Sequence, residues 1–207
     1  MKKAISLLVS LMFFASACAT GKIKHSVDDI TGTETVSMLL KHTSNERLTL
    51  LSSRCAGEFR YIGQTTPDKT RTVRIVVKIN AVITADDLAD NAVVRVNREV
   101  FELKLANLSS TNMTHTSGTA TTTNYYEQRS DGFVDFSKPV KSKTDSDVQT
   151  TQWKELNAVL EVPPALMQAF LRSETITFRF YSGIKPLTYE LNEREVAHVK
   201  EFMKSVK

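Results

Sequence analysis

The feature that most constrains the fold is a long apolar alternation, VRIVVKINAVI, at residues 73–83. Apolar Val73, Ile75, Val77, Ile79, Ala81 and Ile83 alternate with Arg74, Val76, Lys78, Asn80 and Val82. Because successive side chains of a strand point to opposite faces, this period of two predicts a long strand with one face in the core. We expect Ile75, Val77 and Ile79 to be buried, and Arg74 and Lys78 to be exposed.

Further strands surround this segment. RLTLLS at 47–52 and EFRYIG at 58–63 precede it, with a turn near Pro67, and TADDLADN at 84–91 follows as a loop or single helical turn. Residues 93–108 predict a hairpin that turns at Asn97 and Arg98, with three apolar side chains facing inward, Phe101, Leu103 and Leu105. Residues 153–162 predict another strand. The segments TITFRFY and LTYEL predict a second hairpin.

Two helices are predicted in the C-terminal third. PPALMQAFLRS opens with two prolines, which are tolerated in a first helical turn. Asn192 with Glu195 forms a capping-box pattern at the start of the last helix, which presents one apolar stripe of Val196, Val199, Phe202 or Met203, and Val206. The predicted fold class is therefore α+β, with a mainly antiparallel β-sheet and two short helices in the C-terminal third. A sandwich-like arrangement of the sheet is one alternative.

Two polar segments lie between the strands. Residues 109–126 contain seven threonines, and Thr119, Thr121, Thr123 and Tyr125 recur with period two, which predicts an exposed hairpin or edge strands. Residues 137–151, SKPVKSKTDSDVQTT, have no such pattern and are predicted to be a loop, the most mobile part of the domain.

The amino-terminal residues have the layout of an export signal. Lys2 and Lys3 precede an uncharged run from Ala4 to Phe14 that is too short to span a bilayer. The sequence ASAC that ends at Cys18 resembles the lipobox of bacterial lipoproteins. That resemblance implies a diacylated Cys18 as first mature residue, and, with Ala19 after it, anchoring in an outer membrane facing the periplasm. Ordinary cleavage of an A-x-A site, giving a soluble exported protein, is the alternative.

This interpretation divides the chain into three parts: residues 1–17 as signal peptide, 18–30 as a lipid-anchored tether, and 31–207 as a single globular domain. Removing Lys2 and Lys3 from the 27 basic residues leaves 25 against 23 acidic ones, a formal charge of +2. Because basic and acidic side chains are interleaved, no nucleic-acid partner is expected. If Cys18 is acylated, Cys55 is the only thiol left, and it is predicted to be a buried apolar residue. If ordinary cleavage leaves Cys18 unmodified, a disulfide between Cys18 and Cys55 is the alternative.

Motifs of common catalytic sites are missing. The four histidines are far apart and no C-x-x-C occurs, so no metal site is predicted, and no G-x-S-x-G or phosphate-binding glycine loop is present. We assign no catalytic residue and no cofactor. Four aromatic residues beside the polar segments are the candidate binding surface: Tyr125, Tyr126, Phe133 and Phe136.

The leading hypothesis is a non-enzymatic lipoprotein of the cell envelope, a membrane-tethered binding or structural module. Its partners would be the membrane, through lipid on Cys18, and an envelope protein or glycan. One alternative is an envelope hydrolase that acts on peptidoglycan or saccharide through carboxylates that the sequence does not identify. The other is a soluble secreted interaction protein.

Overall fold

The computed structural model describes residues 21–49, 53–125 and 141–206. Cys18 and the predicted signal peptide lie outside this part of the chain. Within it there are nine strands: β1 (Lys24–Val27), β2 (Glu34–Arg47), β3 (Arg54–Thr65), β4 (Arg71–Ala81), β5 (Asn91–Val96), β6 (Glu99–Tyr125), β7 (Lys141–Glu161), β8 (Ile176–Ser182) and β9 (Lys185–Glu190). Two helices are also described, α1 (Pro164–Leu171) and α2 (Glu193–Ser205).

The strands form one sheet in the order β1-β2-β3-β4-β7-β6-β5-β8-β9. The α+β class with mainly antiparallel sheet is confirmed. The sheet is curved, and the end of β2 lies against β9. The backbone N–H of Thr188 donates to Glu46 Oε2 at 2.6 Å, and Lys185 Nζ donates to the carbonyl of Leu48 at 2.9 Å. The sheet is not closed.

Strand β4 confirms the alternation that the sequence shows. Ile75, Val77 and Ile79 are fully buried, Arg74 is exposed, and the Lys78 side chain is 40% exposed while its ammonium group lies 2.7 Å from Glu155 Oε2. The strand ends at Ala81, so Ile83 falls outside it and is exposed. The alternation therefore continues in the sequence beyond the last pairing residue.

Strand β1 lies within residues 18–30, where the sequence predicts a tether, and β2 lies in the predicted domain, where no strand is predicted before Arg47. Residues 24–27 of β1 pair antiparallel with residues 34–37 of β2. Gly21, which adopts a positive φ of 80°, donates its N–H to the carbonyl of Leu39 at 2.8 Å. The structure thus differs from the predicted tether over residues 21–27, because a short polar strand has no apolar period but still satisfies its backbone by pairing.

Both predicted helices are confirmed. Helix α1 begins at Pro164 and buries Leu166, Ala169 and Phe170. Helix α2 begins with the predicted capping box, in which Asn192 Oδ1 accepts from the Glu195 N–H at 3.0 Å and Glu195 Oε2 accepts from the Asn192 N–H at 2.8 Å. Its apolar stripe is buried throughout, at Val196, Val199, Phe202, Met203 and Val206.

The α2 stripe packs against the sheet. The Phe202 and Tyr61 rings are 5.7 Å apart, and a Cβ at Gly63 would overlap Val206. Lys200 Nζ donates to the carbonyl of Ser173 at 3.1 Å, which joins α2 to the segment after α1. The last helix is therefore part of the core, as its sequence predicts.

The sequence predicts a single domain over residues 31–207, and this stays a prediction. Within the chain, backbone contacts group into two compact units. The first contains the residues up to Thr111 and from Lys154 onward, with the core, the curved sheet and both helices. The second contains residues 112–153. We call its described residues, 112–125 of β6 and 141–153 of β7, the ribbon. The loop predicted at 137–151 is wrong for 141–151, which belong to β7; residues 137–140 lie outside the described part.

Candidate functional site

Strands β6 and β7 pair along the ribbon in a single antiparallel register. Thr116 Oγ1 lies 3.4 Å from Thr150 Oγ1, and Thr122 Oγ1 lies 3.0 Å from Thr144 Oγ1. The two pairs are six positions apart on each strand, so the register is the same at both pairs. Hydroxyl pairs of this kind are a recognised source of sheet stabilisation, about 0.2–1 kcal/mol each.

One face of the ribbon is uncharged. Because side chains alternate along a strand, the face with the two threonine pairs also carries small or neutral residues on both strands. They are Thr114, Gly118 and Ala120 on β6, and Ser146, Val148 and Gln152 on β7. We call this surface the neutral face. The opposite face carries the charged positions of β7, including Lys143 and Asp147.

The ribbon side chains that the structure describes are exposed on both faces, except for half-buried Met113 and Trp153. Val148, a β-branched apolar residue, is 64% exposed on the neutral face. A two-stranded hairpin without a buried face is marginally stable in water. The ribbon side chains are thus not required for a core, and they are available to contact another molecule.

The predicted aromatic binding surface lies almost entirely outside the described residues. Tyr125 is the last residue of β6, and Tyr126, Phe133 and Phe136 lie outside the described part of the chain. The described candidate surface is instead the threonine-rich part of the same hairpin. The sequence signal for it was the period-two recurrence of Thr119, Thr121, Thr123 and Tyr125. All four residues belong to β6, and Thr119 and Thr121 are exposed as predicted.

A buried polar cluster joins β2, β3 and α2. The His42 side chain is only 2% exposed, and its Nδ1 lies 3.2 Å from Glu195 Oε1, which is on the residue that completes the α2 capping box. His42 Nε2 and Tyr61 Oη are buried without a hydrogen-bond partner within the described residues. No sequence motif predicts this cluster, because its members are distant in sequence, although His42 continues the alternation of Met38 and Leu40 in β2.

Burial dominates the titration of this cluster. It lowers the pKa of His42, and the neighbouring Glu195 carboxylate opposes that shift only in part. Burial, followed by the Glu195 charge, raises the pKa of Tyr61. A neutral imidazole that donates Nδ1–H to Glu195 fits this environment. Because His42 is buried and the Glu195 side chain is only 16% exposed, their contact holds α2 against β2.

Lys154 and Asp87 form an ion pair in the first unit. Lys154 Nζ lies 2.6 Å from Asp87 Oδ1 and donates to the carbonyl of Ala85 at 2.9 Å, and hydrogen bonds from Lys154 and Ser110 lower the pKa of Asp87. Cys55 is buried as predicted, and burial raises the pKa of its thiol. Among the residues that the structure describes, no three His, Cys, Asp or Glu side chains are placed to hold a metal ion.

A shallow open groove of about 440 Å³ lies between β6 and the segment joining β7 to α1. Its lining is mostly apolar, with Lys104 and Glu161 as its charged members. Ligand sites are usually enclosed and have several convergent polar groups. This groove has neither property, so it supports no specific chemistry.

Comparison with known proteins gives no relative. No protein-family model, no curated protein sequence and no solved structure matches the chain. None of the helices in the described residues is both long and apolar enough to cross a membrane. The candidate site therefore depends on geometry alone, and the ribbon is its best-defined surface.

Proposed function

We propose that this protein is a non-enzymatic lipoprotein of the bacterial cell envelope that presents a binding ribbon close to a membrane. The observation that carries the proposal is the ribbon. It is a paired, threonine-rich hairpin whose described side chains are exposed on both faces and form no core of their own. Beyond its weak cross-strand pairs, such a surface contributes nothing to the hydrophobic core, and interaction is the function that it fits.

The membrane part of the proposal rests on the residues before the described part. Cys18, after a charged start and a short apolar run, is the expected acylation site. Two acyl chains bury enough methylene groups, at about 0.8 kcal/mol each, to make attachment lasting. The buried stripe of α2 leaves that helix no apolar face for a membrane, so the lipid would supply the anchor.

The anchor is tested by mass spectrometry of the mature amino terminus. We expect a diacylated Cys18, and a Cys18→Ser variant should leave the membrane fraction and become soluble. An unmodified terminus at Cys18, Ala19 or Thr20 would refute the anchor and favour the soluble secreted alternative.

The binding role of the ribbon is tested by site-specific photocrosslinking in cells. A photoreactive residue replaces Val148 on the neutral face, and Ile30, which is 96% exposed in the β1–β2 turn, is the matched control. We expect a discrete adduct from position 148 and none from position 30. Equal or absent adducts would contradict a ribbon-centred function. Release of fragments from peptidoglycan by the purified protein would instead support the hydrolase alternative.

A further inference from the structure

We propose that two copies of this chain associate edge to edge through residues 112–122 of β6. The two identical strands would run antiparallel and join two ribbons into one four-stranded sheet. This self-association goes beyond the proposed function, because it requires neither the lipid on Cys18 nor an envelope partner.

The first argument is that β6 has an open edge along the ribbon. Strand β5 pairs with β6 only over Glu99–Lys104, far from residue 112. Among the described residues, β7 is the only strand that neighbours β6 in the ribbon. The other edge of β6 therefore presents backbone N–H and C=O groups that a further strand can pair with.

The second argument is charge. Proteins commonly protect exposed edges with charged side chains or proline. No Lys, Arg, Asp, Glu or Pro occurs between Lys104 and Glu127, so residues 112–122 lack this protection on both faces. The stretch of β7 that faces residues 112–122, residues 144–154, contains the charged residues Asp145, Asp147 and Lys154 in its sequence. The uncharged edge is thus specific to β6.

The third argument identifies the strand that pairs with this edge as β6 of a second copy. An antiparallel pair of identical strands is self-complementary by a twofold axis, so any stretch that pairs well with itself can close a dimer. Two copies of an uncharged strand meet without like-charge repulsion, and threonine is among the residues that favour strands. Pairing would also place the two neutral faces side by side, and it would give each marginal ribbon the additional strands that it lacks.

The test uses the mature chain with Cys18→Ser, so that acyl chains do not cause association. Sedimentation equilibrium across a dilution series should give twice the chain mass at high concentration. A Ser117→Lys, Thr121→Lys variant places two charges on β6. The control, Gln149→Lys with Thr151→Lys, adds the same charge to the same face of the ribbon but on β7. Circular dichroism and melting temperature establish that each variant is folded.

We expect the β6 variant to dimerise at least about tenfold more weakly, or about 1.4 kcal/mol, and the β7 control to dimerise as the parent does. A parent chain that stays monomeric at every concentration would overturn the proposal, as would equal weakening by both variants. If the lysines unfold the ribbon, hydrogen exchange of the parent chain decides. Amides of residues 112–122 must become more protected with concentration than those of residues 144–152, and equal protection overturns the proposal.

Discussion

Replacing Glu195 with alanine should destabilise the first unit more than the loss of an ordinary helix cap does. Glu195 has two structural contacts: Oε2 accepts from the Asn192 N–H at 2.8 Å, and Oε1 lies 3.2 Å from Nδ1 of buried His42. Loss of a capping side chain costs about 0.5–2 kcal/mol. Leaving a buried imidazole N–H without an acceptor adds about 1–3 kcal/mol. We expect a total near 2–4 kcal/mol.

Two matched variants separate these contributions. Asn192→Ala removes the other half of the capping box but retains the contact between Glu195 and His42, so it should cost only about 1 kcal/mol. Glu195→Gln keeps an acceptor oxygen for either contact and should fall between Glu195→Ala and the parent chain. At about 2–4 °C per kcal/mol for a chain of this size, Glu195→Ala should lower the melting temperature by roughly 4–16 °C.

The same cluster gives a pH dependence with a definite sign. Because burial holds the folded-state pKa of His42 below its ordinary value of 6.5, the unfolded chain binds a proton that the folded chain does not. The His42 contribution to stability is therefore full above pH 6.5, and it is lost as the pH falls from 6.5 towards the folded-state pKa. Without the Glu195 charge, which raises the His42 pKa, this acid loss should be steeper.

Urea denaturation at neutral pH and at several more acidic values measures both effects. A double-mutant cycle with His42→Gln isolates the coupling between the two side chains. The reasoning is refuted if Glu195→Ala costs no more than Asn192→Ala at neutral pH, or if His42→Gln leaves the acid slope of stability unchanged.

Three further predictions concern the first unit. Val77→Ala should cost about 1–2 kcal/mol in urea denaturation, because its side chain is fully buried, and a cost near zero would place it outside the core. Asn97 has a φ of 54° and accepts from the N–H groups of Glu174 and Thr175. Both Asn97→Ala and Asn97→Gly lose these hydrogen bonds, but only alanine is strained at a positive φ, so Asn97→Ala should have the lower free energy of unfolding by about 1 kcal/mol. Equal stability of the two variants would argue against backbone strain. Truncation after Leu191 should cause unfolding or aggregation by removing the α2 stripe, whereas an unchanged melting temperature with lost vesicle binding would make α2 a membrane helix.

The parts of the fold that could be predicted are those with a local amphipathic signal. Strand β4 shows strict alternation, and α2 combines an apolar stripe with a capping box, so each was predictable from one segment. Nearly all of β2 was missed: its buried face begins with three apolar residues but ends in the polar residues His42 and Ser44. Ser44 is fully buried, yet its hydroxyl donates to the Glu46 carbonyl at 2.7 Å and accepts from the Cys55 N–H at 2.9 Å. Burial of this hydroxyl depends on hydrogen-bond partners that the hydropathy pattern does not reveal.

The β7 half of the ribbon could not be predicted for a related reason. Its residues 141–151 are rich in Lys, Asp, Ser and Thr, and strands without a buried face have no apolar period to detect. This segment is a strand because it pairs with β6. Thr150, for example, contacts Thr116, which is 34 positions away in the sequence. Part of the candidate site was therefore predicted, as an exposed strand, but its pairing and its neutral face required the structure.

The two units obtain their stability from different sources, and this difference is the strongest reason to place interaction on the ribbon. The first unit is fixed by a continuous core, in which Phe59 contacts Phe178 and Tyr189 with ring centroids 5.3 and 5.2 Å apart. Truncation of a side chain in this core lowers the free energy of unfolding, because it removes packing contacts. The ribbon depends on its hydrogen-bond ladder and on weak cross-strand pairs, so most of its side chains can change without loss of fold. An exposed surface that is paired, uncharged along one edge and free of core constraints can be adapted to a binding partner without loss of the scaffold that carries it.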